Sequence, residues 1–469
     1  MLACCVIAVI LQDTYRDFAG LAMRTLTNPG NSLSPAYRDT TNNSRSGCMK
    51  YFIPSLLGLF LLVTPRLLSQ AIQLETRAPM ASRVHAAETK QRPLLFEQAI
   101  SFEETPTHVF HAPEAPAGLA FAQMQNSQHD EHDRGIASEY PSFHMVGFGD
   151  FTFSATNDSG SKSGFNEGQF VLHFASALSQ KVSFVGELSF TARADAGTGS
   201  PPAPGFNPEV ERAIVRFDQS DYFKVSLGRY HTPVNWWNTA FHHGLWLQTT
   251  IGRPEMTKFG GQFIPVHFVG GLIEGALPVS GLNINYNLGL GNGRGSVISR
   301  AGDAGDNNNN RAWLVNLFIR PDALFGLQAG GSVYRDKITL LSGREFGEWI
   351  VAGHLVWQKE DPEVIAEVAN IQHVGVITDT SYNDLAYYVQ IAYRLPWFEN
   401  VLKPYIRYEF MKIDETDEVF KTVPGLKEIT AGVRYDISDF AALKGEYRNI
   451  RRPGKKDVDA LFLQACFTF

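Results

Sequence analysis

The sequence predicts an all-β chain: a transmembrane antiparallel β-barrel of about sixteen strands, spanning residues 142–469 and closed by its C-terminal strand. Three observations carry this. Apolar residues recur with period two through most of that span, short and long links alternate between the runs, and tryptophans sit at the ends of runs. Composition agrees, since 41 glycines and 12% aromatic residues suit many strands and tight turns. A mean hydropathy of −0.14 excludes a helical membrane protein, and no apolar run reaches the roughly 20 residues that a membrane helix needs. The net charge of −7 is mild and gives no reason to expect nucleic acid.

Taken in order, residues 1–48 read as an upstream extension that is not part of the native protein. Ala3–Leu11 is apolar but short and lacks a basic start, and a polar Asn/Ser-rich stretch follows it. A full secretory signal occupies 49–71: Met49-Lys50, an apolar core from Tyr51 to Val63, and Ser69-Gln70-Ala71 as a small-x-small cleavage site. The mature chain is therefore expected to begin at Ile72. A buried helix over 51–64 is the alternative, and Pro54 and Gly58 speak against it. Residues 72–140 hold no sustained period and recurrent prolines, and read as a flexible periplasmic leader. His129-Asp130-Glu131-His132-Asp133 contains metal-ligand residue types, but a solvated acidic run explains it better. Cys4, Cys5 and Cys48 precede the signal, which leaves Cys466 alone and no intrachain disulfide framework.

From Ser142 the alternation is regular. In 182–192, Val182, Phe184, Gly186, Leu188, Phe190 and Ala192 face one way, against Ser183, Glu187, Ser189 and Thr191. In 282–290, Leu282, Ile284, Tyr286, Leu288 and Leu290 oppose Asn283, Asn285 and Asn287. Leu385, Tyr387, Val389, Ile391 and Tyr393 form a third such face, and Leu402, Pro404, Ile406, Tyr408 and Phe410 a fourth. Short links fall near Ser179–Lys181, Asp218–Asp221, Pro278–Gly281, Arg320–Ala323, Lys359–Pro362, Pro396–Asn400 and Asp436–Asp439. Longer ones fall near 155–165, 193–208, 231–262, 291–310, 336–345, 373–383, 412–426 and 449–457, and the two classes are expected to alternate without exception. Trp313 and Trp349 then lie at outer strand ends and Trp357 and Trp397 at the periplasmic rim, where an indole satisfies both its apolar body and its N–H.

The last stretch alternates Leu461, Leu463, Ala465, Phe467 and Phe469 against Phe462, Gln464, Cys466 and Thr468. An apolar strand of this kind is an aggregation hazard unless both edges are paired. It resembles the carboxy-terminal assembly signal of Gram-negative outer-membrane β-barrels, with Phe467 and Phe469 as its aromatic positions. The span 142–469 resembles Gram-negative porins. Leu227-Gly228-Arg229-Tyr230-His231-Thr232-Pro233-Val234, together with Lys403–Phe410, is similar to the phosphate-selective (O/P-like) type, although no run of close lysines marks a phosphate site. The resemblance implies a water-filled channel in the cell outer membrane for passive diffusion of small polar solutes, with a modest preference for anions. It also implies contact with outer-membrane lipid and lipopolysaccharide, insertion by the barrel-assembly machinery, and homotrimeric assembly. It calls for no cofactor.

The link 231–262 is the third outer one and the greasiest. It holds Pro233, Trp236, Trp237, Phe241, His242, His243, Trp246 and Pro254, too apolar a set for a loop in water. It is expected to fold against the lumen wall, as the third loop of porins does, and to form a constriction with His231, Arg253 and Lys258. Parity points Arg212, Arg216, Lys224, Arg320, Arg394, Lys403, Arg407, Arg434, Lys444 and Arg448 inward. Acids expected inward are Asp150, Glu167, Glu187, Glu274, Glu348, Glu363, Glu367, Glu409 and Glu446, a near balance in which many charges simply pair across strands.

Two other classes compete. A barrel enzyme of lipase or protease type would need a nucleophile and base together, and His144, His173 and His354 have no Ser or Asp neighbour at suitable spacing. Adjacent residues such as His242 and His243 rarely share one metal ion. The chain is therefore read as a channel and not an enzyme, with a substrate-specific uptake channel as a further alternative.

Overall fold

The computed structural model describes residues 140–469 apart from 194–195, 242, 259–262, 280 and 301–306. The expectations for residues 1–48, the signal 49–71, the His129–Asp133 run and nearly all of the leader 72–140 lie outside the described residues, as does His242. Sixteen strands form one closed antiparallel barrel in sequence order. They are β1 (His144–Thr156), β2 (Gly164–Ala177), β3 (Val182–Ala192), β4 (Phe206–Ser220), β5 (Phe223–His231), β6 (His267–Leu277), β7 (Ile284–Asn292) and β8 (Ala312–Ile319). The second half comprises β9 (Leu327–Thr339), β10 (Glu345–Gln358), β11 (Glu363–Gly375), β12 (Ser381–Ala392), β13 (Leu402–Lys412), β14 (Leu426–Ser438), β15 (Ala441–Arg451) and β16 (Val458–Thr468). Closure leaves no open edge, which is the one way a sheet satisfies its backbone groups in lipid.

β16 closes on β1 over a continuous register from Phe148↔Thr468 to Thr156↔Ala460. Beyond the ladder, Gly147 and Phe469 exchange both backbone hydrogen bonds, at 2.8 and 3.0 Å. Phe467 stacks on Phe151 and Phe469 on Phe170, at 6.4 and 5.7 Å between centroids. Their rings lie over Gly149 and Gly147, where any Cβ would collide with them. The C-terminal aromatics therefore cover glycines across the seam and knit β16 to β1 and β2.

The faces are inverted relative to a soluble protein. Leu227, Leu290, Leu461 and Leu463 are exposed on the outside, whereas Glu187, Glu348 and Arg407 are fully buried within. β12 and β13 follow the expected parity, with Tyr388, Gln390, Lys403, Arg407 and Glu409 buried. The interior is not uniformly polar, however. Inward positions of β8–β12 carry Leu314, Tyr334, Ile338, Phe346, Ile350, Ile365, Ile371 and Tyr388 in one apolar cluster with Trp237, Phe241 and Phe263. This cluster is the core of the molecule, and it lies inside the barrel.

Two sequence-based expectations change. The link lengths do not alternate strictly: 340–344 and 376–380, on the long-loop rim, are shorter than 393–401 on the opposite rim. β9, β10 and β11 run on as tall strands and consume what looked like loop, while the link 393–401 spends residues on a 3-10 turn at Pro396–Phe398. Glu167 is also not inward. A bulge in β2 at Gly168–Gln169, opposite Asp150, shifts the β1–β2 register, so that Glu167 pairs with Phe151 and shares its outward face. Asp150 takes the inside position instead, accepting the Gln169 N–H at 3.0 Å, and its carboxylate fills the space a side chain at Gly168 would need.

Candidate functional site

The chain leaves β5 at His231, turns into the barrel and returns to β6 at His267. A single helical turn, Trp237–Ala240, opens the segment and a 3-10 turn, Glu255–Thr257, closes it. The first half is held by its apolar side chains and by a few aimed polar groups. Trp237 is wholly buried and meets Phe241 and Tyr388 edge-on, at 5.0 and 5.9 Å. Glu367 Oε1, from β11, accepts both the Trp236 and the Trp237 N–H at 2.7 Å, so the wall supplies the acceptor that the start of the helical turn lacks. Asn238 Nδ2 donates to the carbonyls of Thr232 and Val266, at 2.9 and 3.0 Å, clasping the two ends of the loop together.

The second half is held by charge. Lys444 Nζ donates to the carbonyls of Leu245, Gln248 and Thr250, at 2.5, 2.8 and 3.1 Å, which uses all three ammonium protons. Arg434 Nη1 reaches the carbonyls of Trp246 and Gln248. Arg407 reaches those of Gly252 and Arg253 and the Thr250 hydroxyl. Carboxylates take the N–H groups: Glu446 from Ile251 at 2.9 Å, and Glu409 from Glu255 at 2.6 Å. The wall of β11–β15 thus presents donors and acceptors to both sides of an irregular peptide chain, which could not be buried otherwise.

The candidate residues fall into three environments. Trp236, Trp237 and Trp246 are buried, with Trp246 beside Phe148 and beneath Arg434. His231 and His243 belong to a polar cluster at the foot of the loop. His231 lies 3.5 Å from Glu187, and His243 lies 3.2 Å from Glu211 and 3.0 Å from Gln169. Arg253 is half-buried, and Lys258 is exposed beside Glu255. Of the inward bases, Arg212 pairs with Glu187, Arg216 with Asp218 and Glu274, Lys224 with Asp221, and Lys403 with Glu360 and Glu363. Arg407 pairs with Glu409, Arg434 with Asp436, and Arg448 with Glu446 and Glu428. At the opposite rim, Arg394 joins Glu360 and Asp436, and Arg320 meets Gln328.

Glu211 is the residue that period-two reasoning misses. It has the wrong parity relative to Arg212 and Arg216, yet a bulge opposite Glu187 and Leu188 brings it inside with only 2% exposure. There it accepts from Ser189 at 2.8 Å and faces His267 at 2.9 Å. Ser189 and His243 both address Glu211 Oε1, so the hydroxyl is not presented to the imidazole as a nucleophile–base pair requires. A cavity of about 370 Å³ opens beside this cluster, lined by Gln169, Asn207, Glu209, Glu211, His243 and Arg300 among others. Arg294 is a second missed residue: it lies in the link 293–311, where periodicity gives no information, and its guanidinium is fully buried against Glu348.

No protein-family model matches the sequence, and no curated protein matches it either. Solved structures do. The anion-selective porin from Comamonas acidovorans is similar over 70% of this chain and 100% of its own, with 16% identity and a TM-score of 0.52. This chain has the porin fold. The outer membrane channel DcaP of Acinetobacter baumannii (12% identity, 72% and 100% coverage, TM-score 0.48) and the Salmonella typhi OmpF complex with daunomycin (14%, 71% and 99%, 0.48) are more distant. In this porin-type barrel the inward loop supplies most of the link residues in the apolar core, to which two other links add Ile298, Val419 and Phe420.

Proposed function

We propose that the chain is an outer-membrane porin: a channel for passive diffusion of small polar solutes, with a bore set by the loop 232–266. One observation supports this above the others, the fastening of that loop to the inner wall by Glu367, Arg407, Arg434, Lys444 and Glu446. A loop held on both flanks narrows the lumen to a fixed gap instead of flapping across it. The selectivity expected is a weak preference for anions. The bases of β13–β15 would attract them, and the Comamonas porin is anion-selective, but each of Arg407, Arg434 and Arg448 already faces a carboxylate that cancels much of the field. Outer-membrane lipid and lipopolysaccharide, the barrel-assembly machinery and a homotrimeric state follow from the same reading. The cavity beside Glu211 favours a second reading, a substrate-specific uptake channel.

Single-channel recording of the refolded protein in planar bilayers tests the proposal. Steady conductance with a small anion-directed reversal potential is expected, and shrinking preference as salt rises, since the Debye length is about 10 Å at 0.1 M and shorter above it. Excising the loop between Trp236 and Trp246 should raise conductance while the barrel still inserts. Unchanged conductance after excision would place the loop outside the permeation path, and a silent barrel would remove the porin reading.

A further inference from the structure

We propose that His373, Asp384 and Asp417 form a binding site for one divalent transition-metal ion, of which Zn²⁺ is the natural probe. The three side chains come from β11, β12 and the link 413–425, and all are fully buried. Their ligand atoms lie within 4.8 Å of one another. His373 Nδ1 is 2.6 Å from Asp417 Oδ2 and 3.9 Å from Asp384 Oδ2. Metal bonds of about 2.0–2.2 Å in a tetrahedral array set ligand atoms about 3.3–3.5 Å apart. The two separations bracket that value, so sub-ångström side-chain shifts would admit the ion.

Orientation is already fixed. Asp384 Oδ1 accepts the Asp414 N–H at 2.7 Å, and Asp417 Oδ1 accepts the Val419 N–H at 2.8 Å. Each carboxylate therefore spends one oxygen on the backbone and turns the other toward His373. Asp384 Oδ2 is buried and has no hydrogen-bond partner, an arrangement that is costly for a carboxylate until a cation or a proton completes it. On the far side of the ring, Glu348 Oε1 lies 3.9 Å from His373 Nε2, beyond hydrogen-bond distance but on the side from which an outer carboxylate steers a metal-binding histidine. Phe420 stands edge-on to the imidazole at 4.6 Å and closes the site from the loop side.

Charge balance gives an independent argument. Glu348 is neutralised by Arg294 at 2.8 Å. With both ionised, Asp384 and Asp417 set two negative charges beside one imidazole, and a proton shared between the two carboxyls is the competing way to remove one. Protonating His373 offsets only one of them, whereas a divalent ion on a neutral imidazole offsets both. One nitrogen and two carboxylate oxygens suit a borderline metal such as Zn²⁺ better than Mg²⁺ or Ca²⁺, which favour all-oxygen shells. Bound there, the ion would staple the link 413–425 to the wall near the long-loop rim.

The test uses tag-free, full-length refolded protein, stripped with a chelator and titrated with Zn²⁺ against a chromophoric competitor. Close to one tightly held ion per chain is expected. Affinity should fall at least tenfold in Asp417→Asn and in Asp384→Asn, while Glu418→Gln, one residue along the same link, should bind as the parent does. Co²⁺ should give a visible d–d spectrum in the parent that is lost in both variants. Heat-modifiable mobility on gels establishes that each variant is folded. Should Asp384→Asn fail to fold, Asp417→Asn, which sits in the link and outside the ladder, carries the comparison. Absence of tight binding by the folded parent, or equal binding by folded Asp417→Asn, would overturn the proposal in favour of a protonated His373 shared by the two carboxylates.

Discussion

Lys444 shows how one side chain controls an irregular backbone. The residue is 2% exposed, and its ammonium donates to three loop carbonyls. Lys444→Met keeps the aliphatic stem and takes this donor from the Leu245 and Thr250 carbonyls, while Gln248 keeps Arg434, and buried acceptors left without a donor cost about 1–3 kcal/mol each. A loss on the order of 3 kcal/mol is expected in detergent-phase unfolding, with noisier single-channel current as residues 245–253 loosen; a variant with unchanged unfolding and quiet current would show the contacts to be incidental. Glu360, in the link between β10 and β11, gives a pH-dependent case. Burial opposes its ionisation, but Lys403 and Arg394 outweigh this and hold its carboxyl down to about 2. Because the folded value lies below the ordinary 4.5, the stabilisation is complete above about 4.5 and drains away as pH falls toward 2. The carboxylate is 37% exposed, so the effect is modest. Glu360→Gln should lower stability at neutral pH and flatten acid unfolding across that window; parallel curves for the two proteins would count against it.

Strands carry the next level of argument, because cross-strand partners share a face. Val389, in mid-β12, pairs with Ala366 and Tyr408 and points outward with them. Arginine there should cost about 2–4 kcal/mol at the bilayer midplane. Arginine at Asn285, inward and half-buried on β7, should be tolerated. Equal losses at the two sites, measured by urea unfolding in lipid, would contradict the parity. Gln390 is also inward, but it donates to Glu363 and faces Arg407, so its replacement by arginine would set cation against cation for reasons unrelated to lipid. Parity identifies the side of the wall, not how crowded that side is.

Closure of the barrel depends on the seam. Phe469 makes two backbone hydrogen bonds to Gly147 and stacks on Phe170, while Phe467 lies over Gly149. Deleting Phe469 removes the last pair of bonds and uncovers the glycine. The heat-resistant, membrane-inserted fraction should fall, and unchanged yield and gel mobility would show that the seam closes without it. Gly147→Val probes the same contact from the other strand, since its side chain would occupy the place of the Phe469 ring.

Period-two alternation is a local property, and it was enough to yield the barrel class, the number of strands, the outward face of β16 and the inward bases of β13–β15. The apolar content of 231–262 likewise announced a loop that cannot lie in water. Other features rest on pairings between residues far apart in the chain, which no local pattern records. Bulges sent Glu167 outward and Glu211 inward, because one extra residue reverses every face beyond it. That β8–β12 also carry large apolar residues on their inner face has meaning only once Trp237 is seen packed against Tyr388. His373, Asp384 and Asp417 converge from two strands and a link, with Arg294 arriving from another. Strand faces follow from side-chain order along the chain, whereas a site is a meeting in space, and only the closed barrel brings its members together.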